Sequence, residues 1–212
     1  MSEDMDKLVK DIGNIVKESQ EKAIKTFKES GIREEDITDP SLINFLGIEK
    51  YFNEKPIKIK DVIDCLEEIS DEIIQVYNTE TGEITSFTQE EFVNLDENGL
   101  EKVLEECPEW EKETYIKLND YFITSKDNIY VHLPTKFSVD DVQIIQDFIY
   151  ELKDEKMSEQ LQNCINQKGM FRKFKDKLYE LGIEKKYYQY REECLKEIAI
   201  DWCADNCLRY EE

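Results

Sequence analysis

The sequence has few of the residues that build the commonest catalytic and metal sites. Among its 212 residues there is one histidine, His132, so a zinc motif that needs two histidines cannot form. The seven glycines are scattered singly, and no glycine-rich loop for a phosphate group occurs. We therefore expect His132 to be a strand-surface or core residue rather than half of a nucleophile pair. The sequence identifies no reaction.

Long apolar segments are also missing. No apolar run approaches the ~20 residues that a helix needs to span a bilayer. The first ten residues, MSEDMDKLVK, lack the apolar segment of a secretory signal. We therefore predict a cytoplasmic protein with no membrane partner. In that compartment the six cysteines are expected to be reduced, small core residues rather than disulfides or metal ligands.

Positive charge is scarce. The chain has 28 Lys and Arg against 50 Asp and Glu, which gives a formal net charge of −22. Charge of this sign repels nucleic acid at long range. Three interpretations stay open: the protein has no nucleic-acid partner, it meets one through a local basic patch, or it imitates one.

The residues that are present have the pattern of a folded, mostly helical protein. Hydrophobic residues make up 40% of the chain and aromatic residues 11%, which is too much for a disordered protein. Runs of β-branched and aromatic residues at 73–77, 83–87 and 129–134 predict short strands, and the first two form a hairpin. Apolar residues at helical spacing fill most of the rest. The predicted fold class is α+β, predominantly helical, with a small antiparallel sheet of about three strands packed against several helices.

Local motifs predict where two helices begin. Thr88 and Glu91 have the spacing of a capping box, in which a hydroxyl and a carboxylate each accept a hydrogen bond from the other residue's backbone N–H. The segment from Ser138 to Asp141 is expected to cap a later helix, with Val142 on its inward face. Both helices belong to the part of the chain that follows the predicted hairpin.

The N-terminal quarter has an organisation of its own. Residues 3–29 have the periodicity of an amphipathic helix, and residues 41–46 form a short apolar helix. Residues 50–56, KYFNEKP, are interpreted as a linker, so Pro56 is the predicted boundary. The predicted division is an N-terminal helical appendage, 1–55, and a main domain, 56–212.

Charge is segregated along the chain. Residues 168–191 contain eight basic and three acidic residues, a local balance of +5, whereas the rest of the chain has a balance of −27. Aromatic residues alternate with these cations, a combination typical of surfaces that bind single-stranded nucleic acid, a phosphorylated small molecule or an acidic protein. The alternative is that the lysines neutralise the protein's own acids and the rings face the core. The candidate binding residues are Lys168, Arg172, Lys173, Lys175, Tyr188 and Arg191.

This window also carries a resemblance to a known family. The segments KGMFRKFKD, IEKKYYQYR and LKEIAIDWC, together with VYNTETGEI and HLPTKF upstream, resemble uncharacterised protein family 0158, which consists of small bacterial proteins. The resemblance spans about 56–208, and family members often have a Trp-Tyr pair where this chain has Tyr187 and Tyr188. It implies one compact domain, and it implies no activity, cofactor or catalytic residue.

Three hypotheses for the function follow. The first is a non-catalytic binding or regulatory module that recognises an anionic partner through the basic and aromatic residues of 168–191. The second is an acidic mimic of nucleic acid that inhibits a basic protein. The third is an enzyme that holds a divalent metal with carboxylates, for which the adjacent acids are candidates: Glu90 and Glu91, Glu105 and Glu106, Asp140 and Asp141.

Overall fold

The structure, a computed structural model, describes residues 3–68, 70, 72–124, 129–165 and 168–212, with side chains from residue 10 onward. It confirms the predicted α+β, predominantly helical fold class. Among these described elements, none has the length and apolar content to cross a bilayer. The helices are α1 (Glu3–Glu29), α2 (Pro40–Leu46), α3 (Ile59–Glu67), α4 (Gln89–Asn98), α5 (Leu100–Glu106), α6 (Lys112–Thr124), α7 (Asp141–Glu151), α8 (Glu155–Ile165), α9 (Met170–Leu181) and α10 (Glu184–Asp205). The strands are β1 (Ile57–Lys58), β2 (Ile73–Asn78), β3 (Ile84–Thr88), β4 (Tyr130–His132) and β5 (Tyr210–Glu211).

An antiparallel sheet with strand order β3–β2–β4 lies inside the helical body. Tyr77 of β2 pairs with Ile84 of β3 and with Val131 of β4. Val76 and Tyr77 point to opposite faces of the sheet, yet both are completely buried. Each face is therefore covered: Tyr77 joins a core with α3 and α10, and Val76 joins a core with α4, α5 and α6. The predicted strands and hairpin are confirmed.

A second ladder, which was not predicted, pairs β1 with β5 in parallel, with Ile57 opposite Tyr210. The buried side chain of Asn53 stabilises this ladder by hydrogen bonds. Its Nδ2 donates to the carbonyl oxygen of Arg209 at 2.9 Å and to Tyr77 Oη at 3.1 Å. Its Oδ1 accepts from the backbone N–H of Arg209 at 2.7 Å. A strand of two residues is too short to have a hydrophobic period, so the sequence did not predict β1 or β5.

The helix α10 joins two of the hydrophobic cores. Leu195, Ala199 and Trp202 pack in the core formed with α3 and the sheet. Trp202 Nε1 also donates to the carbonyl oxygen of His132 at 2.8 Å, which ties α10 to β4. At the other end of the helix, Tyr187 packs in a core formed with α7, α8 and α9. The position of α9 is thus set by the first turns of α10 and by α7 and α8.

The segment before Pro56 contacts the C-terminal end of α10. Ile43 of α2 is completely buried in a small cluster that includes Cys207. Asn44 Nδ2 donates to the carbonyl oxygen of Ala204 at 2.9 Å. The predicted domain boundary at Pro56 stays a prediction, since these contacts show packing and not independent folding.

Both predicted helix starts are found in the structure. Thr88 N–H donates to Glu91 Oε2 at 2.6 Å, and Glu91 N–H donates to Thr88 Oγ1 at 3.2 Å, so the capping box forms. The helix α7 is capped within the predicted segment by Asp140, whose Oδ1 accepts from the N–H of Val142 at 3.0 Å. Asp140 can cap α7 because carboxylates accept well from the first free N–H groups of a helix. With this start, Val142 is exposed rather than inward.

Candidate functional site

Residues 168–191, the cationic window of the sequence, fold into α9 and the first turns of α10. The helix α9 follows Gly169 and ends at Gly182, both with φ in the left-handed region that favours glycine. Phe174 and Leu178 are four residues apart and buried, so they define the inner face of α9. Most of the other rings and cations of the helix are exposed.

The exposed side of α9 alternates rings and cations. Phe171, Lys175 and Tyr179 follow one another at four-residue steps, which places neighbouring Cβ atoms about 5–6 Å apart along one line of the helix surface. All three side chains are exposed, Tyr179 to 75%. Arg172 borders this line. We call the set Phe171, Arg172, Lys175 and Tyr179 the outer face of α9.

Local acids neutralise this surface only in part. The Arg172 Nε atom lies 3.9 Å from Asp176 Oδ2, but the two side chains are 90% and 68% exposed, so water screens the pair. Lys177 is hydrogen-bonded to Glu180, which raises the pKa of this lysine. Lys175 has no ion-pair partner within the described part of the chain. A cationic surface therefore remains beside the exposed rings.

The candidates Lys168 and Lys173 are also exposed at the start of α9. Lys168 precedes the helix, and Lys173 lies beside Arg172 in the chain, about 100° around the helix axis from it. They extend the cationic surface around the first turn of the helix. Their assignment as binding residues stays a prediction.

Arg191 occupies a different environment from the cations of α9. It lies on α10, and its side chain is only 19% exposed. Its Nε donates to Asp141 Oδ1 at 3.1 Å, and its Nη1 lies 3.6 Å from Glu67 Oε1. The guanidinium thus links α10 to α7 and α3. Its predicted role in binding a partner is not tested by this geometry, but its acceptors inside the protein set it apart from the outer face of α9.

The neighbouring tyrosines Tyr187 and Tyr188 also differ in exposure. Tyr187 is buried, and its ring packs edge-on against Phe174 and Phe148 with centroid distances of 5.0 and 5.2 Å. This burial raises the pKa of Tyr187 to about 12. The candidate Tyr188 is 47% exposed, and its ring centroid lies 5.4 Å from that of Tyr187. Only Tyr188 of these two can offer a ring to a partner.

Three of the acids proposed as metal ligands have structural partners. Asp140 caps α7, and Asp141 accepts from Arg191. Glu91 completes the capping box at the start of α4. Over the described residues, no group of three or more His, Cys, Asp or Glu side chains is arranged to hold a metal ion. Glu105 and the residue after it are exposed at the end of α5.

The cysteines pack in the protein and none is paired with another; all six lie in described segments. Cys164, Cys203 and Cys207 are buried. Burial raises the pKa of Cys203 to about 12, and burial together with neighbouring acids raises that of Cys65 to about 11. These two side chains are therefore neutral thiols near pH 7, and the thiolate is the form that attacks substrates or binds metals.

A groove beside His132 was not anticipated from the sequence. It has a volume of about 290 Å³ and is lined by the end of β4, the start of β2 and the segment after β4, including Ile73 and Phe137. His132 is exposed, and its Nε2 lies 3.0 Å from Tyr121 Oη. No sequence signal points to this groove, because its walls come from segments far apart in the chain.

Comparison with known proteins agrees with the resemblance in the sequence. The family model described as "Uncharacterised protein family (UPF0158)" matches residues 109–211. The match contains α9, α10 and the candidate residues, and it confirms the resemblance over that range. Neither the search of curated proteins nor the search of solved structures finds a match.

Proposed function

We propose that this protein is a non-catalytic binding module that captures an anionic partner on the outer face of α9. The observation that carries the proposal is the exposed alternation of Phe171, Lys175 and Tyr179, bordered by Arg172, on a chain whose residues outside 168–191 have a charge balance of −27. Exposed rings can stack on flat groups, and the cations pair with phosphates or carboxylates.

The packing of α9 supports a preformed surface. The buried residues Phe174 and Leu178 anchor the helix in the core shared with α7, α8 and α10. A partner then binds side chains whose backbone is already ordered, and this lowers the entropy loss of binding. The acidic remainder of the protein repels an anion elsewhere, so it favours approach to α9.

The test uses the full chain and two fluorescent anionic probes, a single-stranded oligo(dT) and a poly-glutamate of similar length. Binding is measured by fluorescence anisotropy at low salt. The double variant Arg172→Glu/Lys175→Glu should weaken binding of at least one probe by about tenfold or more, because two attractive charges become repulsive.

A matched control carries the same charge change elsewhere. Lys153 and Lys156 are exposed near the start of α8, and Lys153→Glu/Lys156→Glu should leave binding within about twofold, since contact charges dominate over net charge at moderate salt. Equal losses in the two double variants would mean that overall charge, not the outer face of α9, decides binding. Absence of binding to both probes would overturn the proposal.

The acidic remainder favours one second candidate, a mimic that occupies the cleft of a basic protein. In that case a basic protein such as a histone is captured at low salt and released at high salt. The Arg172→Glu/Lys175→Glu variant then binds the basic protein at least as well as the wild type. The binding module therefore predicts that this variant loses affinity for an anionic probe, whereas the mimic predicts that it keeps its affinity for a basic protein.

A further inference from the structure

A groove lies where the turn between β2 and β3 meets β1 and α3. Its volume is about 590 Å³, and small-molecule sites in proteins have volumes of roughly 300–1,000 Å³. Its walls include the turn residues 81–84, the segment 55–58, the start of α3 and Lys117 of α6. None of these residues belongs to the outer face of α9, so the groove is a separate surface.

The lining of this groove is cationic on a strongly acidic chain. Three lysines and two acids line it, a balance of +1, whereas the whole chain has a net charge of −22. These residues are Lys55, Lys58, Lys117, Asp61 and Glu83. An anion that most of the protein repels is therefore attracted here.

The three lysines differ in their partners. Lys117 Nζ lies 3.1 Å from Glu83 Oε2 and 3.0 Å from Glu113 Oε1, so acids of the protein already neutralise it. Lys55 and Lys58 are exposed, and within the described part of the chain neither forms an ion pair. These two cations of the groove are the ones available to an anion from solution.

The fold orders the backbone of both available lysines. The carbonyl oxygen of Lys55 accepts from Nδ2 of the buried Asn53 at 2.8 Å. The side chain of Lys55 lies along the turn, since a Cβ on Gly82 would be 3.9 Å from Lys55 Cβ and 4.0 Å from its Cδ. Lys58 lies in the ladder of β1 and β5 opposite Glu211, and these two described residues form no ion pair. A ligand thus meets cations on ordered backbone, which lowers the entropy loss of binding.

We propose that this groove binds a small phosphorylated molecule, with Lys55 and Lys58 on its phosphate group. Two ammonium groups match the charge of a phosphate that is close to a dianion at neutral pH, and lysine binds phosphate as a point charge. Asp61 and the hydroxyl of Ser86 also line the groove, where they can hydrogen-bond to hydroxyl groups of the same ligand. The site does not depend on what the outer face of α9 binds.

The test is an NMR titration of the full chain, labelled with ¹⁵N, with ribose 5-phosphate and with glycerol 3-phosphate. At concentrations up to roughly 10 mM, at least one of them should shift the amide resonances of Thr81 and Gly82 in a saturable way. Ribose and glycerol without phosphate should leave these resonances unchanged, because they carry no charge for the lysines. No saturable shift with either phosphate, or equal shifts with the uncharged compounds, would overturn the proposal.

Single variants identify the cations that bind. Lys58→Gln and Lys55→Gln should each raise the dissociation constant of the phosphate compound by about fivefold or more, since each removes one contact charge. The matched control is Lys60→Gln, which changes the net charge by the same amount. Lys60 is exposed two positions from Lys58, but it lines a different groove, between α3 and α10. The control should stay within about twofold of the wild type, and a loss in it equal to that in Lys58→Gln would refute the assignment.

The variant Arg172→Glu/Lys175→Glu separates this site from the outer face of α9. It should bind the phosphate compound as the wild type does, because neither residue lines the groove. If this variant loses binding while Lys58→Gln keeps it, the phosphate binds at α9 and the groove is not its site.

Discussion

The Nε atom of Arg191 lies 3.1 Å from Asp141 Oδ1, across the junction between α10 and α7. The sequence had suggested other roles for both residues: Arg191 as a cation that binds a partner, and Asp141, with Asp140, as a metal ligand. Their contact gives each an internal partner. It also separates this arginine from the exposed cations of α9.

Arg191→Ala should therefore destabilise the fold. The substitution leaves Asp141 and Glu67 without their cation, and the expected decrease in the free energy of unfolding is about 1–2 kcal/mol for such a partly exposed pair. Urea denaturation measures it. Arg172→Ala is the control, because its pair is exposed and should contribute less than about 0.5 kcal/mol. If Arg172→Ala decreases the free energy of unfolding as much as Arg191→Ala does, the structural role of Arg191 is contradicted.

Asn53→Ala should release the C-terminal strand. The substitution removes the hydrogen bonds that join residue 53 to both backbone groups of Arg209 and to Tyr77. With the buried partners left unsatisfied, we expect a loss of about 2–4 kcal/mol in the free energy of unfolding. Hydrogen exchange should also become faster at β5. Asn14→Ala, at an exposed position of α1, is the control, and protection of β5 that does not change in Asn53→Ala would argue against this role.

Thr88→Ala should weaken the start of α4. The hydroxyl accepts from the N–H of Glu91, and the loss of such a cap decreases protein stability by about 1 kcal/mol. Thr88→Ser keeps the hydroxyl and should retain most of the stability. Thermal or urea denaturation of the three proteins gives the comparison. The interpretation fails if serine and alanine are equally destabilising.

Alkaline pH should destabilise the protein through Tyr187. Burial raises its pKa to about 12 in the folded protein, whereas an unfolded tyrosine has a pKa of about 10. Above about pH 10 the unfolded chain therefore loses a proton that the folded chain keeps, and stability falls as the pH rises toward about 12. Urea midpoints measured between these pH values should fall less steeply in Tyr187→Phe.

The exposed Tyr150 supplies the control for this prediction, since its side chain is 90% exposed. Tyr150→Phe should have the same pH profile as the wild type. If the profiles of all three proteins are parallel, the buried hydroxyl of Tyr187 is not the group that responds to pH.

The features that could be predicted from the sequence depend on neighbours within a few positions. The hairpin of β2 and β3 follows from two apolar runs around a polar turn, and the box of Thr88 and Glu91 follows from their spacing. The choice of the capping residue of α7 within the segment from Ser138 to Asp141 is local as well. Two residues that can both cap a helix lie two positions apart there, and local chemistry does not choose between them.

The sequence by itself determined the helical α+β architecture, the excess of acidic charge and the concentration of cations near α9, because composition and periodicity are properties of the chain alone. Only the tertiary structure decided which of those cations are available to a partner. Arg191 and Lys175 belong to the same cationic window, yet burial brings carboxylates from α3 and α7 to Arg191 and leaves Lys175 in solvent. Contacts between segments so distant in the chain arise from the packing of apolar faces, which has no local signature around either cation.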